Sequence, residues 1–275
     1  MQRDIEIAEL RRLTQYIDDN FDYDFKNYAM SSFTRRVRRV VELYKFSSVD
    51  ALIRKFKDNP GFFQDFVSEI TVNVTEMFRD PTFWISLRDE IIPEILNEHQ
   101  KINIWHAGCS SGEEVISMCI MLEEMGTLDK ATIIATDIDK SIISKAKKAA
   151  FNAKNMELNQ SNYERFGGKS SIYDYFIERD GFYHVKPELL DRVSFRVQDL
   201  VKGNPFSKFD LILCRNVMIY FNQTLQNEVL KKLHGSLFKY GNLAIGSKES
   251  LIWCDIANKF VVVNNEEKVY KKIKE

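Results

Sequence analysis

From residue 101 onward, short apolar runs alternate with stretches of helical character: INIWHA (102–107), TIIATDI (132–138), VSFRV (193–197), FDLILCR (209–215) and NLAIG (242–246). A run that is apolar throughout, rather than at every second position, must bury both of its faces. A sheet does this when helices cover it on both sides, and continuous apolar strands separated by helices therefore predict an α/β fold with a mostly parallel sheet. The terminal FVVVNNEEKVYKKI holds two more strand-like runs around an Asn-Asn turn and predicts a closing hairpin. Residues 152–191 break the alternation with FGG, RDG and KPE, and read as a small insertion.

Residues 1 to about 97 have another texture and read as helical almost throughout. In SSFTRRVRRVVELY, Phe33, Val37, Val40, Val41 and Tyr44 recur at helical spacing as one apolar stripe, with Arg35, Arg36, Arg38 and Arg39 largely off it. Ser31 or Ser32 is expected to cap that helix, and NPGF (59–62) to form a turn before the next. Between Lys26 and Lys57, nine Lys and Arg stand against only Glu42 and Asp50. Such an excess is either a solvated helix face or a docking surface for an acidic partner. No base-reading module or aromatic stacking pattern accompanies it, so nucleic acid is not the expected partner.

The net charge of -1 makes any such attraction local rather than global. The N-terminus MQRDIEIAELRRL lacks the apolar core of a signal peptide. No apolar run approaches the roughly 20 residues that cross a bilayer. Cys109, Cys119, Cys214 and Cys254 are scattered, with no C-x-x-C pair and no histidine cluster. The expectation is a cytosolic chain with reduced thiols, no metal site and no membrane insertion.

In a doubly wound sheet, ligands lie beyond the carboxyl ends of the strands, over the first βα turns. The first such turn is AGCSSGEE. Gly108 and Gly112 allow close approach of backbone to ligand and a positive φ. Glu113 and Glu114 would repel a pyrophosphate, so the turn suits a phosphate-free cofactor bearing positive charge. S-adenosyl-L-methionine, with a sulfonium and an α-ammonium, is such a molecule. Either glutamate can be the one that faces it, with Glu114 the first choice. The second strand ends in ATDID, where Asp137 is placed to accept hydrogen bonds from ribose hydroxyls and Asp139 to cap KSIISKAKKAAF. CRNVMIYF brings Arg215, Asn216 and Tyr220 to the same sheet edge. One parallel sheet closed by a hairpin suits a Rossmann-like methyltransferase better than a dehydrogenase. Read from its residues alone, NVTEMFRD is a helix start with Thr75 as N-cap.

Together, NVTEMFRD, GCSSGEE, TDID and FDLILCRNVMIYF, behind a helical region with arginine pairs, resemble the CheR family of chemotaxis receptor glutamate O-methyltransferases over nearly the whole chain. The resemblance implies an N-terminal all-helical domain and linker at 1–80. It further implies a class I, Rossmann-like methyltransferase domain at 81–275 with a small inserted β-subdomain. The implied activity is cytoplasmic transfer of methyl from S-adenosyl-L-methionine to glutamates on chemoreceptor helices, by a monomer, leaving S-adenosyl-L-homocysteine. By the same resemblance Asn73, Thr75 and Arg79 reach the cofactor from the linker. Gly108, Glu113 or Glu114, Asp137, Ile138, Asp199, Leu200, Arg215, Asn216 and Val217 complete its pocket. Arg79 and Tyr220 lie nearest the transferred methyl. Arg35, Arg36, Arg38 and Arg39 become a docking face for clustered receptor glutamates, and the insertion resembles a subdomain that in some members grips a receptor C-terminal peptide.

The sequence departs from the family pattern at three places. Val115 and Ile116 stand where Pro-Tyr is common, and Met77 replaces a frequent phenylalanine; both changes are apolar and are expected to alter packing only. GSKES (246–250) replaces a usual G-H-S-E, and the lost histidine bears on substrate range or rate rather than cofactor binding. A glutamate side chain, with a pKa of about 4.3, is already an anion near neutral pH. No general base is therefore expected, and His106 and His184 read as structural or surface residues. Arg79 is expected to orient the carboxylate for in-line attack, and Tyr220 to donate a hydrogen bond or shape the methyl channel. Two other readings stand beside this one: a methyltransferase of a different protein or small molecule, and a non-catalytic module that senses the cofactor or tethers receptors.

Overall fold

The computed structural model describes residues 5–21, 23–71, 74–203 and 207–274. Helices α1 (Ile7–Asn20), α2 (Met30–Leu43), α3 (Val49–Asp58) and α4 (Phe62–Ile70) pack into one bundle. Its core includes Leu13, Ile17, Val37, Val40, Leu52, Phe56, Phe63 and Phe66. On α2, Phe33, Val37 and Val40 are buried at i, i+4 and i+7, while Val41 is half-buried and Tyr44 reaches the surface. Neither Ser31 nor Ser32 caps the helix, which starts at Met30 with no side-chain cap. Its start is fixed from outside the bundle: the Ala29 N–H donates to the Tyr220 carbonyl at 2.8 Å.

A linker leads to α5 (Pro81–Ser86), a π turn at Leu87–Ile91, and α6 (Ile92–Glu98). The helical start expected after Thr75 does not form; the chain stays irregular until Pro81, whose fixed φ suits a first helical position. The linker is held by side chains of the second domain instead. The Met77 N–H donates to Asn159 Oδ1 (2.9 Å), the Phe78 N–H to Ser117 Oγ (2.8 Å), and Asn162 Nδ2 to the Met77 carbonyl (3.0 Å).

The remaining elements are β1 (Ile102–Ala107), α7 (Glu113–Glu124), β2 (Ala131–Asp137), α8 (Lys140–Lys148), β3 (Ala150–Asn152), α9 (Ala153–Phe166), β4 (Phe176–Arg179) and β5 (Phe182–Val185). There follow β6 (Val193–Val197), β7 (Phe209–Cys214), α10 (Gln223–Ser236), β8 (Leu237–Ile245), β9 (Phe260–Asn264) and β10 (Val269–Lys272). The main sheet runs β6-β2-β1-β7-β8-β10-β9, parallel through the first five strands and antiparallel at β10. All five apolar runs and both arms of the hairpin are strands of this sheet. β7 shows why its run is unbroken: Leu211 and Leu213 face one apolar core, and Ile212 and Cys214 the other. A second sheet, β3-β5-β4, forms the small β-subdomain.

The chain leaves β1 toward β2 and β6, then returns to the other side of β1 at β7. The switch point between β1 and β7 is where ligands bind in such sheets. The helical bundle sits beside it. Tyr28 bridges Phe221 in antiparallel pairing, the Asn222 N–H donates to the Asn27 carbonyl at 2.9 Å, and the Tyr23 hydroxyl donates to the Ile138 carbonyl at 3.2 Å. Among the described residues no helix is long and apolar enough to cross a membrane.

Candidate active site

A cavity of about 520 Å³ opens over the switch point, between the bundle and the sheet. Thr75, Arg79, Gly108, Glu114, Asp137, Ile138, Asp199, Leu200, Arg215, Asn216, Val217 and Tyr220 all line it. Asn73 lies outside the described residues.

The turn after β1 depends on its glycines. Gly108 has φ +85, and a Cβ there would collide with Val217; Gly112 has φ +97, with Ala146 Cβ only 3.2 Å from where its own would lie. Of the two glutamates only Glu114 reaches the cavity. Consecutive helical residues point about 100° apart, and Glu113 is turned away, buried and accepting a hydrogen bond from Ser111 Oγ at 2.7 Å. Its place in the expected pocket is corrected on that geometry.

Glu114 belongs to a chain of polar groups from four elements. His106 Nδ1 lies 2.8 Å from Glu114 Oε1, and Arg215 Nη1 lies 3.6 Å from Oε2. Arg215 Nη2 donates to Asp80 Oδ2 at 2.7 Å, and its guanidinium stacks 3.9 Å from the Phe83 ring centre. Burial pushes the Glu114 carboxyl up, but the hydrogen bonds and charges of His106 and Arg215 outweigh it and hold its pKa below the usual value. The carboxylate is therefore ionised. His106, fully buried on β1, is structural as expected, and its partner is this cavity glutamate.

Asp137, at the end of β2, accepts the Ser110 N–H at 2.9 Å and the Asp139 N–H at 3.1 Å. Burial raises its pKa, and those amides oppose the shift. Asp139 caps α8, accepting from Ser141 (2.7 Å) and Ile142 (3.3 Å). Asp199, beyond β6, accepts the Val201 N–H at 2.7 Å, and its Oδ2 is buried with no hydrogen-bond partner among the described residues. Burial raises its pKa as well. Three carboxylates, one with an unused buried oxygen, match a nucleoside bearing hydroxyls and an ammonium and would repel a pyrophosphate.

Other walls carry positive charge. Arg79 lines the cavity, and no described residue pairs with its guanidinium; its carbonyl accepts from Trp84 Nε1 at 3.0 Å. Arg36 is not on the free face with its neighbours. Only 7% exposed, it donates to the Ile70 carbonyl at 2.6 Å and lies 4.2 Å from the centre of the Tyr220 ring. The stripe alone misplaces it because the bundle's second contact, against the sheet domain, covers the flank of α2 next to Val37. Arg35 and Arg39 are exposed, Arg38 is half-buried, and Arg39 sits 3.6 Å from Glu69.

Glu249 escaped the sequence reading. It is 6% exposed; its Oε2 accepts from the Gly246 and Asn216 N–H groups at 2.5 and 3.0 Å, and its Oε1 from Ile219 at 3.1 Å. This clasp holds the turn that carries Tyr220, where Asn216 takes a left-handed φ of 60. The signal was present in GSKES: its glutamate keeps the register of G-H-S-E, and the two changed positions, Ser247 and Lys248, line the cavity.

Comparison with known proteins accounts for both halves of the chain. Residues 8–71 match the CheR methyltransferase all-alpha domain, and residues 73–269 the CheR methyltransferase SAM binding domain. The chain is 35% identical over 264 residues to the putative methyltransferase Cher3 of Pseudomonas putida, spanning 96% of each. It is 31% identical over 241 residues to a chemotaxis protein methyltransferase of Listeria innocua, spanning 87% of this chain and 88% of that one. With chemotaxis protein methyltransferase 1 of Pseudomonas aeruginosa it shares 30% over 238 residues, 82% and 83% of the two chains. A carboxylate-lined cavity at the switch point of such a sheet, in a chain matched at both ends, shows that the protein belongs to the CheR methyltransferase family and uses S-adenosylmethionine.

Proposed function

We propose that the protein methylates glutamate side chains on the cytoplasmic helices of chemoreceptors, forming methyl esters and leaving S-adenosylhomocysteine. One observation carries this reading: Arg79, uncommitted to any described acid, shares a cavity with Tyr220 and with the carboxylates of Glu114, Asp137 and Asp199. The carboxylates suit the cofactor, and the free guanidinium suits an anionic substrate. The names of the Listeria and Pseudomonas aeruginosa relatives support a chemotaxis substrate, which in turn implies work in the cytoplasm.

When bound, S-adenosylmethionine supplies a methyl group made electrophilic by its sulfonium. Glu114 would hold its ammonium, Asp137 its ribose hydroxyls, and Asp199 with Leu200 its base. Arg215 is engaged by Asp80 and Glu114, so it positions Glu114 rather than gripping the substrate. The substrate carboxylate arrives ionised, and the protein's task is to align and dehydrate it. Arg79 orients the carboxylate through one oxygen, leaving the other as nucleophile. Tyr220, held from beneath by Arg36 and from behind by the Glu249 clasp, shapes the path to the methyl.

The test is incubation with methyl-labelled cofactor and chemoreceptor cytoplasmic fragments. Label that mild base releases as methanol supports glutamate esters. Base-stable label points to another acceptor, and no transfer to any fragment sinks the assignment.

A further inference from the structure

The segment between β8 and β9 exposes side chains that neither the cofactor nor the reacting carboxylate uses. Leu251 and Cys254 are buried, and the Cys254 N–H donates to the Leu251 carbonyl at 2.9 Å, closing a tight turn. The two residues at its tip, Ile252 and Trp253, are 74% and 80% exposed. The turn is lashed to α10 close behind Tyr220: Gln223 Nε2 donates to the Trp253 carbonyl at 3.0 Å, and Asn227 and Lys231 donate to Asp255 at 3.1 and 3.0 Å. Lys248, upstream in the same segment, lines the cavity and pairs with no described acid. Glu249, next in sequence, fixes it to the Tyr220 turn.

Single exposed apolar side chains are ordinary. Here two large ones sit side by side on a pinned tip, in one segment with a free cation at a cavity lip. Nothing in the fold requires apolar groups at these positions, and a rigid aromatic beside a charged rim is the composition of a binding anchor. We infer that Ile252 and Trp253 form the apolar anchor, and Lys248 the charged lip, of a docking site for the helical substrate segment that flanks the methylated glutamate. The inference rests on the proposed function for the identity of that segment, an amphipathic, acidic helix. Residues three and four apart on a helix share a face. Such a helix can thus set further acids against Lys248 while its apolar side chains cover the Ile252–Trp253 tip.

The chain has three tryptophans, and Trp84 and Trp105 are 1% and 2% exposed. Trp84 lines the cavity, so a change in emission on adding a tryptophan-free chemoreceptor cytoplasmic fragment reports on Trp253 only where Trp253→Phe abolishes it. The wild-type protein is expected to shift to the blue, and Trp253→Phe to lose the shift. Trp253→Ala with Ile252→Ser is expected to raise KM for the fragment about tenfold or more, with cofactor affinity by calorimetry unchanged as proof of folding. Lys248→Glu is expected to raise KM and weaken its salt dependence. A fragment that is methylated without any emission change, or with unaltered KM in the double variant, overturns the docking site and leaves the proposed function standing. An emission shift without methyl transfer overturns the proposed function, and with it the assignment of the bound segment as substrate.

Discussion

The guanidinium of Arg36 packs 4.2 Å from the centre of the Tyr220 ring, so a helix of the N-terminal bundle supplies part of the catalytic cavity. The two domains are also joined there by backbone pairing at Tyr28 and Phe221. The bundle is thus a wall of the site as well as a candidate docking face, and its arginines divide between the two roles.

That division is testable by kinetics. A desolvated cation–π contact is worth about 2 kcal/mol, or roughly 30-fold in rate if all of it acts on the transition state. Arg36→Ala is expected to lower kcat by about 10- to 30-fold. Arg35→Glu and Arg39→Glu, on the exposed side, are expected to raise KM for the receptor fragment and leave kcat alone. If all three substitutions change only KM, Arg36 has no part in the site beyond docking.

Arg79 is expected to matter at saturating cofactor, where binding defects are masked. Arg79→Ala should lower kcat by about 100-fold, the scale seen when one donor to a reacting oxygen is removed. Arg79→Lys should recover part of the loss, since it restores the charge but not the planar fork. Normal turnover by Arg79→Ala with saturating cofactor would overturn the assignment.

The raised pKa of Asp137 gives cofactor binding an acid limb. In the proposed binding mode ribose hydroxyls donate to the ionised carboxylate, so binding favours the deprotonated form. Affinity is full above the raised pKa of the free protein and falls as pH drops through it, beginning above the ordinary aspartate value of about 3.9. Glu114, whose pKa is lowered, keeps its charge through that window. For the free fold the sign is opposite. Burial makes ionisation of Asp137 unfavourable, so acidification relieves the fold while it weakens binding. Calorimetric titrations across acidic pH should show the limb in the wild type and a shallower one in Asp137→Asn, with Asp199 supplying what remains.

The central strands were legible in the sequence because burial on both faces selects mostly apolar residues; β7 is buried at all six of its positions, and its one polar side chain, Asp210, accepts the Asn103 N–H at 2.8 Å. The cavity residues were legible where chemistry and chain position coincide, as at Glu114 and Asp137, each at a turn beyond a parallel strand. What failed were features set by contacts between distant segments. Arg36 looks like any other arginine off the stripe until the sheet domain covers that flank of α2. Ser31 and Ser32 look like caps until Tyr220 fixes Ala29 instead. Glu249 was overlooked because two of its partners, Asn216 and Ile219, belong to the distant Tyr220 turn.

Arg215 should be costly to remove. Its side chain is 3% exposed and stands between Asp80 and Glu114. Arg215→Met keeps much of the volume against Phe83 but leaves Glu114, 18% exposed at the cavity wall, with only His106 as partner. Breaking a buried pair in this way costs about 3–5 kcal/mol; because Asp80 is 38% exposed and can rehydrate, the lower end is expected. Urea unfolding measures it. Adding Glu114→Gln to Arg215→Met should recover part of the stability but none of the cofactor affinity, since the carboxylate that suits the ammonium is gone.

Gly108 separates steric from conformational demand in the cofactor turn. Alanine there meets two obstacles: φ +85, and a Cβ that collides with the Val217 side chain. A left-handed φ costs a residue with Cβ about 1–2 kcal/mol, while the collision forces either Val217 or the turn to move. Gly108→Ala is therefore expected to lose stability and cofactor binding together. Val217→Ala removes the colliding methyl but cannot change φ. The double variant should regain more than the sum of the single effects predicts, a positive coupling by double-mutant cycle, yet stay below Val217→Ala alone by about the φ cost. Strict additivity would mean that the turn yields by moving away from Val217. In that case the close packing of Gly108 on Val217 sets neither the shape of the turn nor the binding of the cofactor.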